Sequence, residues 1–306
     1  MLALDQFLAR SVGRATIYKS FRTAAELDLS TKFTVCIPDM HLLEKGPNDD
    51  FFDGKPEHER RFEEFLYHIL DLKNELGEEM EVVQLGDMFD LWQARGNTNL
   101  IHAAYTNILG LLDTLKPVYV VGNHDFDLLR YYQGETFGRL WRHYAVAADS
   151  NVRTLFEHGF QADCFNNQES WSGAIGREVT VIAGLMEYIE PDMDVILGGM
   201  WDGISRFFSV YNAGLTPVTH PQGFNTHEYL SYYIDLMQKY NRGETDDHRE
   251  PTDLALAVVG HTHTARLVSR PKDGRTYYLM DCGSWVNGGH EFGIIAGREI
   301  AICQWV

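Results

Sequence analysis

Glu81-Val82-Val83-Gln84-Leu85-Gly86-Asp87-Met88-Phe89-Asp90 is the stretch on which the fold turns. Its first half is short, apolar and β-branched, the pattern of a buried strand, and its second half opens on a glycine and supplies two carboxylates. The strand therefore stops where ligand-type residues begin. The same pattern stands upstream, where Lys32 to Pro38 runs into Asp39, Met40 and His41, and downstream, where Pro117 to Val121 runs into Gly122-Asn123-His124-Asp125. Between these strands the apolar spacing predicts helices over Glu57 to Leu76 (Phe62, Phe65, Leu66, Ile69, Leu70, Leu72) and Asn99 to Leu115. Strands alternating with helices imply βαβ crossovers and a mostly parallel sheet whose strand ends share one edge. In open α/β sheets that edge is where sites form.

Further along, Arg153 to Glu157 reads as a strand ending in His158-Gly159, and Leu254 to Val259 leads into Gly260-His261-Thr262-His263. Residues two apart on an extended strand point the same way, so the imidazoles of His261 and His263 are expected side by side on one face. Thr276 to Met280 precedes Asp281-Cys282-Gly283-Ser284-Trp285, and a final strand pair closes the chain near Val306. Residues 187–250 break the alternation: Val195 to Tyr211 and Glu228 to Tyr240 are aromatic-rich and helix-like, and the segment is read as an inserted helical cap. At the other end, Arg10, Arg14, Lys19 and Arg22 punctuate a helix-like pattern from Leu4 to Leu27, so residues 1–30 are expected to form an amphipathic helical extension ahead of one domain over 31–306.

Composition narrows the function classes. The 306 residues carry a formal net charge of −18, which repels nucleic-acid phosphates and anionic lipid, and no basic stripe offsets it. No nucleic-acid partner is expected. The N-terminus lacks a long apolar run, no stretch approaches membrane-spanning length, and Cys36, Cys164, Cys282 and Cys303 are scattered without metal-site spacing; a cytoplasmic setting with reduced thiols follows.

The residues at the strand ends are Asp39, His41, Asp87, Asn123, His158, His261 and His263. Carboxylates, imidazoles and one amide oxygen, without thiolate, suit Mn²⁺, Fe²⁺ or Zn²⁺. They exceed what one such ion takes and fit two ions sharing a carboxylate, as in hydrolases whose metals sit about 3.5 to 4 Å apart. Two cations lower the pKa of a water held between them and neutralise charge on phosphoryl oxygens during in-line attack. His124 is not needed as a ligand and is placed to protonate the leaving alkoxide or to stabilise the transferring oxygens, with Asp90 orienting it and raising its pKa; an ordinary helix N-cap is the other role open to Asp90. Asp125 is read as holding its loop.

In this order, Asp39-Met40-His41, Gly86-Asp87-Met88-Phe89-Asp90, Gly122-Asn123-His124-Asp125, His158-Gly159 and Gly260-His261-Thr262-His263 resemble the calcineurin-like metallophosphoesterase superfamily. The resemblance implies an α/β fold of two packed mixed β-sheets flanked by helices, and two divalent ions, Mn²⁺ foremost. One ion would be held by Asp39, His41, Asp87 and His263, and the other by Asp87, Asn123, His158 and His261. The position of His158 competes with His143, His220, His227 and His248 in the same interval. Within the superfamily the layout is most similar to the UDP-2,3-diacylglucosamine hydrolases, which carry Arg where this chain has His124 and whose caps tend to be basic, unlike the acidic segment here. The implied substrate is accordingly a small or amphipathic phosphate mono- or diester or a diphosphate, with Arg206 of the cap as a candidate phosphate clamp. A binding scaffold that kept the fold and lost the chemistry is the alternative, and it predicts missing ligands.

Overall fold

Two sheets pack face to face, and helices cover both outer faces, as the motif order implies for a metallophosphoesterase sandwich. In the computed structural model of the chain, residues 1–23, 27–46, 48–91, 93–94, 98–125, 128, 140–141, 143–148, 151–162, 226–245 and 250–306 are described. The first sheet has seven strands. β2 (Phe33–Ile37), β3 (Met80–Gln84), β4 (Val118–Val120) and β5 (Leu140–Trp141) run parallel through its centre and one flank. β11 (Glu291–Ala296), β12 (Glu299–Trp305) and β1 (Ala15–Arg22) extend the other flank antiparallel. The second sheet has five strands in the order β6 (His143–Ala148), β7 (Asn151–Glu157), β8 (Leu256–Val259), β10 (Arg275–Asp281) and β9 (Arg266–Lys272), with β7, β8 and β10 parallel.

Side-chain alternation sorts the strand residues between layers. On β8, Leu256 and Val258 point into the core between the sheets, while Ala257 and Val259 point outward. The inter-sheet core also takes Cys36, Val83, Val120, Met280, Ile300 and Ile302. Outside the first sheet, α2 (Pro56–Leu76) and α4 (Thr106–Leu115) bury Phe62, Phe65, Ile69, Ile108 and Leu112 against Val35 and Val82. Each buried side chain of this size contributes about 1.5 to 3 kcal/mol, so the layers hold by apolar burial.

Two sequence expectations need correction. The N-terminal segment is helical only over α1 (Leu4–Arg10); Val12 and Gly13 turn the chain at φ +50° and +79°, and Ala15–Arg22 becomes an edge strand paired with β12. β-branched and aromatic residues (Thr16, Ile17, Tyr18, Phe21) suit a strand, and the open edge of β12 supplies the partner that propensity alone could not reveal. Arg10 and Arg14 pair with Glu75 and Glu64 of α2, at 2.6 and 2.9 Å. The helix expected over Asn99 to Leu115 is split into α3 (Thr98–Ala104) and α4 at Tyr105, whose hydroxyl donates to Asp49 Oδ2 at 2.7 Å.

Of the segment read as a cap, the second helix is described. That helix, α5 (Thr226–Arg242), packs on the outer face of the second sheet, with Tyr229, Tyr233, Ile234 and Met237 against Ala257, Val259 and Leu279. It is the fourth layer of the sandwich, because apolar residues repeat at helical spacing on one side and the sheet offers a matching apolar face. Residues 187–225, including Arg206 and the helix expected over Val195 to Tyr211, lie outside the described residues. Among the described residues no helix is long and apolar enough to cross a membrane.

Candidate metal centre

Five parallel strands of the two sheets end in residues of the site. Asp39 and His41 follow β2, Asp87 and Asp90 follow β3, Asn123 and His124 follow β4, His158 follows β7, and His261 and His263 follow β8. The two sheets are tied together at this edge. His261 N–H donates to both oxygens of Asp39, at 2.9 and 3.1 Å, and Trp285 N–H donates to the Asp39 carbonyl at 2.8 Å.

Among the described residues the ligand atoms fall into three groups with members within 4.8 Å of one another: Asp39, His41 and His263; Asp87, His158 and His261; and His41, Asp90 and His124. Asp87 Oδ2 lies 3.5 Å from His41 Nε2 and 3.1 Å from His158 Nε2, between the first two groups. Asp39 Oδ2 lies 3.2 Å from His263 Nε2 and 3.9 Å from both His41 Nε2 and His158 Nε2. Asn123 is buried beside them at the end of β4. Of the histidines that competed with His158, His227 sits on α5 and bonds Arg270 at 2.7 Å, whereas His220 and His248 lie outside the described residues. His143 lies within β6.

The turns that carry these groups are strained. His41, Asp87, His261 and His263 have φ of +51°, +48°, +70° and +53°, a region that costs side-chain-bearing residues free energy and clusters at functional sites. This corrects the expectation of an extended pair: His261 and His263 sit on a turn, and the reversal sends one imidazole to each group. Glycine precedes Asn123 and His261 because the backbone must pass too close for a side chain. A Cβ at Gly122 would overlap Asp87 Oδ1, and one at Gly260 would overlap Asp39 Oδ1.

Electrostatics follow from packing carboxylates and imidazoles out of water. Burial disfavours charge on Asp39 and Asp87, yet His158 holds both carboxyls below their usual range, Asp87 far below it. Against its own burial, His158 is pushed up to about 10 by Asp87 and Asp39, and His124 up to about 9 by Asp90 and Asp87. Burial and the neighbouring His124 push His41 down to about 4. His124 Nδ1 is 3.0 Å from Asp90 Oδ1, and its ring is partly exposed at the rim.

The donor set fits borderline divalent ions: hard carboxylates with imidazoles, and no thiolate among the residues gathered here. His158 Nε2 is buried and makes no aligned hydrogen bond although Asp87 Oδ2 is only 3.1 Å away, while Nδ1 is within 2.7 Å of the Leu85 carbonyl. That is how a ligating histidine is held, one ring nitrogen anchored and the other presented.

Two supporting residues stand out. Asp125 accepts from Gly122 N–H at 2.7 Å and Met88 N–H at 2.9 Å, and also from the Tyr119 hydroxyl, so it braces its loop against the one that bears Asp87. Asp281, which sequence reasoning passed over, is fully buried and accepts from the Thr262 hydroxyl, bracing the turn between His261 and His263. Its position at the end of another parallel strand was the available signal.

No family model matches the chain, and no curated protein matches it. Solved structures similar to it include a dimetal phosphatase from Danio rerio, with TM-score 0.37 and 11% identity, covering 90% of this chain and 100% of that one. Phosphopantetheinyl hydrolase from Mycobacterium tuberculosis aligns with TM-score 0.32 and 14% identity, covering 85% of this chain and 91% of that one. Likeness this slight carries no functional weight, and the gathered side chains carry it instead.

Proposed function

We propose that this protein is a metal-dependent phosphoesterase of the calcineurin-like kind, with two divalent ions, that hydrolyses a small or amphipathic phosphate ester. The observation that carries the reading is the place of Asp87, whose Oδ2 lies between His41 of one ligand group and His158 of the other. Asp39, His41, Asp87 and His263 would hold one ion, and Asp87, Asn123, His158 and His261 the other. When bound, such ions activate water and neutralise phosphoryl charge.

The chain's own groups supply the rest. Asp87 stays ionised at neutral pH because its histidine neighbours hold its carboxyl far below the usual range, which keeps it available as a shared anionic ligand. In the metal-free chain, against its burial, His124 is pushed up to about 9 by Asp90 and Asp87, and this favours its protonated form. Its Nδ1 is committed to Asp90, so Nε2 is the nitrogen that passes a proton to the departing alkoxide as the P–O ester bond breaks. Water contributes the new P–O bond, and the products are an alcohol and a phosphate.

The scaffold alternative requires a missing ligand, and the sequence supplies every residue of the set. The similarity of motif layout to the UDP-2,3-diacylglucosamine hydrolases makes sugar-nucleotide diphosphates a substrate class to test beside simple esters, with Mn²⁺ as the first ion to supply and the cytoplasm as the proposed setting. The test is metal content together with turnover of p-nitrophenyl phosphate, its bis-ester, and nucleotide, sugar-nucleotide and lipid phosphates. Purified protein that binds two Mn²⁺ and turns over none of these would overturn the enzymatic reading.

A further inference from the structure

Gln84 ends β3, and its side chain is buried completely. Its Nε2–H donates to the Gly86 carbonyl at 2.8 Å, and its Oε1 accepts from Gly86 N–H at 2.8 Å. The amide thus closes on Gly86 as a neighbouring strand would. It does so where regular pairing stops, since Gln84 is the last β3 residue in register with Ile37 and Tyr119.

The turn held in this way is unusual. Gly86 and Asp87 are consecutive residues with positive φ, +96° and +48°. A Cβ on Gly86 would stand 2.6 Å from Gly122 N and 2.7 Å from His158 Nδ1, so the backbone has no room to shift in that direction. Each group on the turn serves the site. The Leu85 carbonyl anchors His158 Nδ1 at 2.7 Å, the Asp87 carbonyl accepts from Met40 N–H at 3.0 Å and His41 N–H at 2.9 Å, and the Asp87 carboxylate faces both His41 and His158.

The geometry points to Gln84 as a positioning residue of the metal centre: its amide holds the Leu85-Gly86-Asp87 turn that places Asp87 between the two ligand groups and fixes the ring of His158. The physical reason is that two successive left-handed residues persist only when the surroundings over-determine them, and a buried peptide unit without partners would drive the turn to another conformation. This rests on the reading of the site as a centre for two divalent ions. It assigns the positioning to a side chain that touches neither metal nor substrate, through the backbone of its neighbours.

The test uses the full chain and Mn²⁺ alone, followed by isothermal titration and by the electron paramagnetic resonance of the bound ions. Gln84→Met keeps the volume and removes both hydrogen bonds. Gln84→Asn keeps the amide but is one methylene too short to span both groups of Gly86, and it serves if the methionine variant does not fold. Ile108→Val trims the helix layer as a control for general destabilisation. Expected for Gln84→Met is Mn²⁺ affinity lowered by about 10- to 100-fold, as for other residues that orient metal ligands, with loss of the signal from paired ions; Gln84→Asn should lose at least part of both. The control should lower the melting temperature and leave both readouts unchanged. Gln84 variants that bind two Mn²⁺ as tightly as the parent, with the paired signal intact, overturn the positioning role while leaving the functional reading standing. A parent chain that binds no Mn²⁺ refutes the functional reading and this role with it.

Discussion

At the scale of single residues the site is a problem of charge. Asp87→Asn removes the carboxylate that lies nearest to both His41 and His158, so the variant should lose both ions together in metal analysis; retention of two equivalents with normal turnover would contradict a shared ligand. His124→Ala should keep both ions and lower kcat by about 10² to 10⁴, with a smaller loss for esters of good leaving groups such as p-nitrophenol, which need little protonation. Equal losses for alkyl and nitrophenyl esters would place His124 on the transferring oxygens instead. A pH dependence follows from His158. Its pKa, pushed up to about 10, leaves it protonated at pH 7, and only the neutral ring ligates, so Mn²⁺ must displace a proton. Binding should therefore weaken as pH falls and release protons, read as a dependence of calorimetric enthalpy on buffer ionisation; binding without proton release would remove His158 from the ligand set. The ligand types were legible in the sequence because polar residues that interrupt apolar strands are conspicuous. Their braces were not: Asp281 and Gln84 look like ordinary strand-end residues until the turns they hold are seen.

At the scale of elements, strand ends and edges decide what each substitution does. Gly122→Ala would push a Cβ into Asp87 Oδ1, so the expected outcome is a folded protein with impaired Mn²⁺ binding, checked by circular dichroism beside metal titration. Unchanged Mn²⁺ affinity would show that the two strand ends are not packed as closely as the structure has them. The N-terminal segment makes the contrasting case. Its basic residues and helical spacing suggested an appendage, but Phe7 is completely buried, with ring centroids 5.5 Å from Phe33 and 6.0 Å from Phe292, and β1 covers the edge of β12. Phe7→Ala should then cost about 3 to 5 kcal/mol in chemical denaturation, the range for emptying a buried aromatic site, whereas an appended helix would cost almost nothing. The misreading has a physical source. Strand β1 pairs with residues nearly three hundred positions away, and no local pattern announces an edge that the end of the chain will supply.

For the whole molecule, stability and metal binding are linked because the ligands come from separate strands of both sheets and meet only in the folded state. Mn²⁺ at a hundredfold its dissociation constant should add about 2.7 kcal/mol of stability that a chelator removes, and identical denaturation midpoints with and without Mn²⁺ would show that folding does not assemble the site. By itself the sequence determined the α/β class, the βαβ alternation and the ligand-type residues at the strand ends, because these depend on local periodicity and on where apolar runs stop. Tertiary contacts alone settled that β1 completes the first sheet, that α5 packs on the second, and that His261 and His263 sit on a reversed turn and not on an extended strand. These depend on which surfaces meet. A helix with one apolar face fits a cap or a sheet equally well, and the positive-φ turn of His261 and His263 is held by a buried group from another strand, Asp281.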